Sequence, residues 1–367
     1  MHKNIHAFIF FCFCLISCSS SKVNTATENI LSATGLNPYG RYIVNDKQEL
    51  ELISSGVHFG FAFEGTQCKI YATNYYAAGH NYLQYVLDGV YQKRIKIEGN
   101  ATGPVVITAS NSAKHTVWIY KATEAHTGAV IIQKISAQNI VALKRSTLPL
   151  IEFIGNSITC GAAADASEVP CGTGEYHDQH NAYYAYGPRV ARALGVEFLL
   201  SSVSGIGIYR NWNSDGPTMP QVYEKTNFQQ NSSHNWDFKN YEPKIVSIAL
   251  GTNDLSNGDG KKERLPFDSA KFVNSYIQFV RRVKSKYTTS QIAIVSSPMV
   301  NGNNRIILQN CIMAVKKNID ALYPSDKPVA FYFFNPMQAR GCGGHPSVED
   351  HAILANELLP FFKNLLK

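Results

Sequence analysis

The sequence predicts an α/β protein in two parts, an antiparallel β-sandwich or jelly-roll-like module followed by a domain built on a mostly parallel sheet. Three observations carry this reading. The chain has 367 residues and is 45% apolar, which suits a folded protein with room for two domains. From about Arg41 to about Ser146, short runs rich in aromatic and β-branched residues succeed one another without a long helical pattern. Beyond "RSTLPL", continuous apolar runs alternate with helical stretches, the pattern of strands buried on both faces of a parallel sheet.

Taken in order, the chain starts with "MHKNIHAFIFFCFCLISCSSSK". A short basic start, His2 and Lys3, precedes an apolar run from Ala7 to Ile16 that is too short to span a bilayer, so residues 1–18 read as a signal peptide. Its end, "LISC", resembles the bacterial lipobox, which predicts Cys18 as the lipidated mature N-terminus and residues 19–40 as a polar tether. The protein is then expected outside the cytoplasm as a cell-envelope lipoprotein, periplasmic or on the outer-membrane surface, touching the membrane only through its lipid anchor.

Residues 41–146 form the expected β module. "HFGFAFEGTQCKIYATN", "NYLQYVLDGVYQKRIKIEG", "PVVITAS" and "HTVWIYKATE" read as strands, and Asp88-Gly89 is a strong hairpin signal. Residues 147–367 form the α/β domain. Its expected strands are "LIEFI", "VEFLLSSV", "KIVSIAL", "QIAIVSS" and "VAFYFF", with helices near 181–194, 267–286, 304–322 and 347–366. In the second of these helices, "KFVNSYIQFVRRVKSKY", Phe272, Tyr276, Phe279 and Val283 recur at helical spacing, which leaves Arg281, Arg282, Lys284 and Lys286 largely on solvated faces. The net charge of +7 is therefore not a nucleic-acid footprint, and no nucleic-acid motif accompanies it.

Eight cysteines are present. Cys12 and Cys14 leave with the signal and Cys18 takes the lipid. Cys68, Cys160, Cys171, Cys311 and Cys342 remain, an odd set that permits two disulfides and a free thiol. Cys160 with Cys171 would close a short loop beside Ser157. The spacing matches no structural zinc site.

In open parallel sheets, residues just past the carboxyl ends of the strands face the ligand crevice. Ser157 follows the first strand in "IEFIGNSITCG", Gly205 in "SGIG" follows the second, Asn253 in "GTND" follows the third, and His345 in "GCGGHP" follows the last. Each alone has an ordinary role as cap, turn, brace or loop histidine. Together they supply what acyl transfer needs: a nucleophile, a base to take its proton, and donors aimed at an oxyanion. Gly155 and Gly161 give the serine loop room to turn.

The blocks "GNSIT", "SGIG", "GTND" and the terminal "HP" resemble the SGNH, or GDSL-like, hydrolase superfamily from about residue 150 onward. With the preceding β module and "SSVSGIGIYRNWN", "GPTMPQVYEKT" and "GTNDLSNG", the sequence is most similar to carbohydrate esterase family 2. The resemblance implies a jelly-roll domain followed by a flavodoxin-like SGNH hydrolase domain. It implies a serine esterase that removes O-acetyl groups from polysaccharide, such as acetylated xylan or glucomannan, with the hexose 6-hydroxyl as the suggested position. Ser157 would be the nucleophile and His345 the general base. The backbone N–H groups of Ser157 and Gly205 and the side-chain amide of Asn253 would form the oxyanion hole. No metal or organic cofactor is implied. Other readings are a lipase-like acyl esterase and a cell-surface carbohydrate-binding protein with a decayed site.

One departure from the superfamily pattern concerns the base. The expected Asp two or three residues before the histidine is replaced by Gly343 and Cys342, and no carboxylate occurs between Asp326 and Glu349. Either a backbone carbonyl of "RGCGG" orients the imidazole, giving a Ser-His dyad, or Asp254 or Asp350 does so; the dyad is the favoured reading. Asn156, where an Asp is often found, has no assigned catalytic role, and Asp254 is expected to brace its loop through backbone hydrogen bonds. Tyr209 and Trp212 are expected to wall the substrate site, Tyr183 and Tyr184 lying near the same loops. "EYHDQH", with His177, Asp178 and His180, reads as a polar loop in preference to a metal site. The tyrosines of "YATNYYAAGHNY" read as ordinary strand residues, and the β module as a packing partner that shapes the cleft.

Overall fold

A computed structural model describes residues 28–367. The expected signal peptide and Cys18 lie outside the described residues.

Ten strands make the first module: β1 (Glu28–Ser32), β2 (Tyr42–Val44), β3 (Leu50–Leu52), β4 (His58–Asn74), β5 (His80–Leu87), β6 (Val90–Tyr91), β7 (Ile95–Glu98), β8 (Val105–Thr108), β9 (Lys114–Lys121) and β10 (Val130–Ala142). Hydrogen bonds join them into one antiparallel sheet with path β2-β3-β10-β4-β9-β5-β6, β1 and β8 pairing outside it on β10 and β4. The expected tether is corrected here. From Glu28 the chain is already in the sheet, because Asn29, Ile30 and Leu31 pair with Ala137, Ser136 and Ile135 of β10.

The long strand β4 serves two neighbourhoods. Residues 58–64 pair with β9, and Gln67–Ile70 pair with β8. Phe59, Phe61 and Phe63 enter the module's core on odd positions, Cys68, Ile70 and Ala72 on even ones. The parity changes where Gly65 stands at φ +96°, so an irregularity turns the strand while keeping its apolar side inward.

The second domain has five parallel strands: β11 (Leu150–Gly155), β12 (Glu197–Ser202), β13 (Ile245–Ala249), β14 (Gln291–Val295) and β15 (Ala330–Tyr332). Their spatial order is β12-β11-β13-β14-β15. Strand β11 is buried throughout and pairs with β12 on one side and β13 on the other. The chain order reverses there, so the crevice is expected at the carboxyl end of β11. The helices are α1 (Ser157–Cys160), α2 (Tyr186–Leu194), α3 (Met219–Val222), α4 (Thr252–Leu255), α5 (Ser269–Lys286), α6 (Gly302–Leu322) and α7 (Val348–Leu365). In α5, Phe272, Tyr276, Phe279 and Val283 are buried as their spacing requires. Lys284 departs from expectation: it is buried with its ammonium 2.6 Å from Asp326 and above the Tyr323 ring, while Arg281 and Arg282 stay exposed.

The two parts share buried surface. Arg41 of the module is 1% exposed and donates to Ser201 Oγ at 3.2 Å and to the carbonyls of Tyr223 and Lys225 at 2.7 and 2.8 Å. It faces Glu152, the one charged residue inside β11, at 3.9 Å. Glu152 also accepts from Ser201 and Tyr223, so a charge within the central strand is paired and hydrogen-bonded, the condition for burying it. His58 stacks on Phe198 of β12 with ring centroids 4.5 Å apart.

One disulfide joins Cys171 to Cys342. The Cys160–Cys171 pairing is thereby corrected: Cys160 lies on α1 and its thiol points inward, 3.2 Å from Ser202 Oγ. Cys68, Cys160 and Cys311 are buried free thiols. Among the described residues no helix is long and apolar enough to cross a membrane.

Candidate active site

Strand β11 ends at Gly155 because the chain must fold back at once. A Cβ there would lie 2.0 Å from Thr159 Oγ1, so only glycine lets α1 follow directly. Asn156 caps α1, its side chain accepting from Ile158 N at 3.1 Å. Gly161 closes the turn at φ +68°. Ser157 therefore stands at the first position of a four-residue helix, held at both ends and 8% exposed.

Gly205 lies three residues beyond β12, and Asn253 is on α4 beyond β13. The Asn253 amide donates to Ile206 O at 2.7 Å. That bond uses one of its two N–H groups and ties the second donor loop to the first. Among the described residues neither Ser157 N–H nor Gly205 N–H is used by another protein acceptor. Asp254 accepts from the N–H groups of Ile208, Tyr209 and Arg210; it is a structural brace through backbone hydrogen bonds, but of the loop after Gly205 and not of its own loop as the sequence suggested. Burial pushes its carboxyl above the ordinary value.

His345 follows the short turn Cys342–Gly344 that the disulfide anchors. The same turn is held by Cys342 N–H to Ala163 O at 2.9 Å and His345 N–H to Cys342 O at 3.1 Å. Ser157, Gly205, Asn253 and His345 line one cleft of about 570 Å³, with Trp212, Tyr176 and Met299 in its walls. Burial and the neighbouring His180 lower the affinity of His345 for a proton, against the carbonyls of Cys342 and Gly343, which favour its charged form. The imidazole is thus neutral near pH 7 and able to accept a proton.

Among the described residues no carboxylate hydrogen-bonds His345. Asp254 is committed to the loop after Gly205, and Asp350 accepts from Arg340 N and Nε and from Ser347 N, capping α7. Nδ1 of His345 is buried without a hydrogen bond of ordinary geometry.

The walls differ in part from expectation. Trp212 is 43% exposed on the cleft. Tyr209 instead packs its ring against Phe267 and Phe272, its hydroxyl accepting from Asp268 N at 3.1 Å, and it does not line the cleft. Tyr183 and Tyr184 pack with Tyr91 where the two parts meet. Tyr75 and Tyr76 are exposed beyond the end of β4, neither in the cleft nor within a strand. The residues of "EYHDQH" separate: His180 turns inward to Glu124, while His177 and Asp178 meet His80 of the β module. His80, Glu175 and His177 bring potential ligand atoms within 4.8 Å of one another, a different trio from the one the sequence brings to notice.

Sequence reading missed two residues of the β module. His126 lines the cleft, and Glu124 lies buried behind it, 0% exposed. Neither belongs to a periodic or motif pattern.

The comparisons divide the chain as the fold does. Residues 39–144 match the model of the carbohydrate esterase 2 N-terminal domain, and residues 153–322 that of the GDSL-like lipase/acylhydrolase family. The chain is 24% identical over 358 residues to an acetylxylan esterase/glucomannan deacetylase of Cellvibrio japonicus, covering 96% of this chain and 95% of that one. It is 27% identical to the cellulase/esterase CelE of Acetivibrio thermocellus, covering 89% of this chain and spanning 39% of that protein's length. The structure of a family two carbohydrate esterase from Clostridium thermocellum in complex with cellohexaose superposes with a TM-score of 0.77 at 26% identity, over 92% of this chain and 99% of that one. With both domains matched in order and the four strand-end residues gathered in one cleft, the chain joins a carbohydrate esterase 2 N-terminal domain to a GDSL-like lipase/acylhydrolase domain, is similar to family 2 carbohydrate esterases over nearly its whole length, and is a carboxylic ester hydrolase.

Proposed function

We propose that this chain is a secreted serine esterase that removes O-acetyl groups from polysaccharide, with acetylated glucomannan or xylan as substrate. The observation that carries the reading is the gathering of Ser157, Gly205, Asn253 and His345 in a single cleft at the carboxyl edge of the parallel sheet. The names of the relatives from Cellvibrio japonicus support the choice of substrate. The terminal "LISC" motif supports export and a lipid anchor on Cys18.

In the reaction, Ser157 Oγ attacks the acetyl carbonyl while His345 takes its proton. The oxyanion accepts hydrogen bonds from the N–H groups of Ser157 and Gly205 and from the free N–H of Asn253. Collapse breaks the bond to the sugar oxygen, which takes the proton from His345 and leaves as the alcohol. Water, deprotonated by His345, then attacks acetyl-Ser157; the bond from the acyl carbon to Ser157 Oγ breaks, Oγ takes the proton back from His345 and acetate is released. His345 acts in a dyad, since the two candidate acids, Asp254 and Asp350, are engaged elsewhere. The Cys342 carbonyl, the nearby charge of Glu124 and the Gly343 carbonyl favour its charged form.

Acetate release from acetylated glucomannan and acetylated xylan, measured beside Ser157→Ala, tests this. Release abolished by the substitution is expected. Tolerance of long acyl chains would point to a lipase-like esterase instead. Glycan binding without hydrolysis would point to a carbohydrate-binding protein, the reading that the unpartnered His345 Nδ1 favours.

A further inference from the structure

Glu124 comes from the turn between β9 and β10 of the β module, yet its carboxylate lies under the catalytic loops of the other domain. Its Oε2 accepts Ser204 N–H at 2.7 Å and its Oε1 accepts the Ser204 hydroxyl at 2.7 Å. Ser204 is the residue immediately before Gly205. Oε2 also accepts from the Cys160 thiol at 3.3 Å, and Cys160 ends the helix that Ser157 begins. One carboxylate thus touches both the loop of the nucleophile and the loop of the second oxyanion donor.

The carboxylate is itself fixed. His180 Nε2 lies 2.9 Å from Oε1, and His180 Nδ1 accepts Ala163 N–H at 3.2 Å. That acceptor role places the ring proton on Nε2, so the imidazole donates to Glu124. Arg94, also from the β module, donates to the carbonyls of Asp178 and His180 at 2.9 and 2.8 Å and holds the segment that carries the ring. The fully buried Lys121 ammonium donates to the main-chain oxygen of Glu124 at 2.6 Å and to Ile53 O at 3.1 Å, which pins the turn. A buried carboxylate with this many donors is a charge the fold has been built to keep.

We infer that Glu124 is a positioning residue for the esterase reaction: through Ser204 it sets the Gly205 N–H in the oxyanion hole, so that the β module completes the active site of the hydrolase domain. The inference rests on the proposed esterase reading, because it assigns Gly205 as a donor. Glu124 does not touch the reacting atoms. A donor displaced from the oxyanion weakens transition-state binding and leaves ground-state binding alone, so the effect falls on kcat and not on KM. Burial works to raise the Glu124 pKa, but the hydrogen bonds from His180 and Ser204 and the charge near His126 hold it well below the usual carboxylate range, which keeps it an acceptor at every working pH.

The test is steady-state acetyl ester hydrolysis by the full mature chain, its Glu124→Gln and Ser204→Ala variants and the double variant, each with its melting temperature. In Glu124→Gln the amide nitrogen must face either Ser204 N–H or His180 Nε2–H, so one donor loses its acceptor. The expected result is a fall in kcat of about tenfold or more, below the full cost of deleting an oxyanion donor, with KM within about twofold. The two substitutions are expected to cost less together than the product of their separate effects, because they break one shared link. An unchanged kcat in Glu124→Gln, or a fall confined to KM, overturns the inference while leaving the esterase reading standing. No hydrolysis by the unsubstituted chain overturns both. Should Glu124→Gln fail to fold, Ser204→Ala decides: kcat lowered at constant KM supports the link, and kcat unchanged refutes it.

Discussion

The Cys171–Cys342 disulfide ties the turn that carries His345 to the loop before His177, across a sequence separation of 171 residues. Replacing both cysteines by alanine removes that tie. In the chain-entropy treatment a closed loop of this length stabilises the fold by about 5 kcal/mol, and loss of native disulfides in small secreted domains costs roughly 2–5 kcal/mol. The lower half of that range is expected here, because Cys342 N–H still bonds Ala163 O and Gly341 N–H still bonds His345 O at 2.7 Å. Those two bonds hold the turn's backbone but do not stop it from moving as a unit toward solvent. A catalytic group misplaced by about 1 Å costs up to about a hundredfold in rate. The double variant should therefore lose stability, read as a lower urea midpoint with m raised as the unlinked unfolded chain expands, and should lose about tenfold in kcat against an acetyl ester. A midpoint and a kcat both equal to those of the unsubstituted protein would show that the backbone bonds alone place His345, and the reasoning would fail.

Two further outcomes follow from named contacts. Asn253→Ala removes the proposed oxyanion donor and the bond to Ile206 O together, so kcat for acetate release should drop by about 10²–10³ with little change in KM; a drop of less than about tenfold would remove Asn253 from the proposed oxyanion hole. His351 is fully buried on α7 and stacks on the Tyr186 ring, neither ring nitrogen has a hydrogen-bond partner among the described residues, and burial lowers its pKa from 6.5 to about 3. The unfolded chain binds a proton at this site below about 6.5 and the folded chain does not, so its contribution to stability is complete above that pH and declines as pH falls toward about 3. By pH 5 the loss is about 2 kcal/mol, and His351→Leu should flatten the acid side of the urea-midpoint profile by that amount; identical profiles would assign the acid sensitivity to other groups.

The parallel domain was legible because its signals are local. An apolar run such as "LIEFI" ends in residues that a strand buried on both faces cannot hold, and the topology of a parallel sheet puts every such end on one side. Ser157, Gly205, Asn253 and His345 could therefore be assembled from four separate strand ends without knowing a single distance. What stayed hidden depends on contacts between distant residues that leave no period and no spacing. β1 is polar and exposed along most of its length and reads as a tether, since only its pairing with β10 makes it a strand. Cys171 has nearer cysteines in sequence than Cys342. Tyr209 stands close to Gly205 along the chain, but the loop braced by Asp254 sends its ring toward Phe267 and Phe272.

Glu124 is the sharpest case. In "YKATEAHT" it has the appearance of a solvated turn residue, and charged side chains in turns are ordinary. Its meaning comes from the docking of two domains, which removes it from water and surrounds it with donors from the hydrolase domain. Such a group is costly to bury unless every acceptor site is used, and the donors that satisfy it are then held as firmly as it is. The same desolvation that makes Glu124 expensive in an isolated module makes it an effective anchor in the joined one. Arg41 and Glu152 repeat the arrangement at the other end of the interface, with the module supplying the cation and the central strand the anion. A cleft formed by separate strand ends needs its loops held still. Buried charges crossing from the β module hold them at points where apolar packing, being non-directional, would leave the donors free to turn.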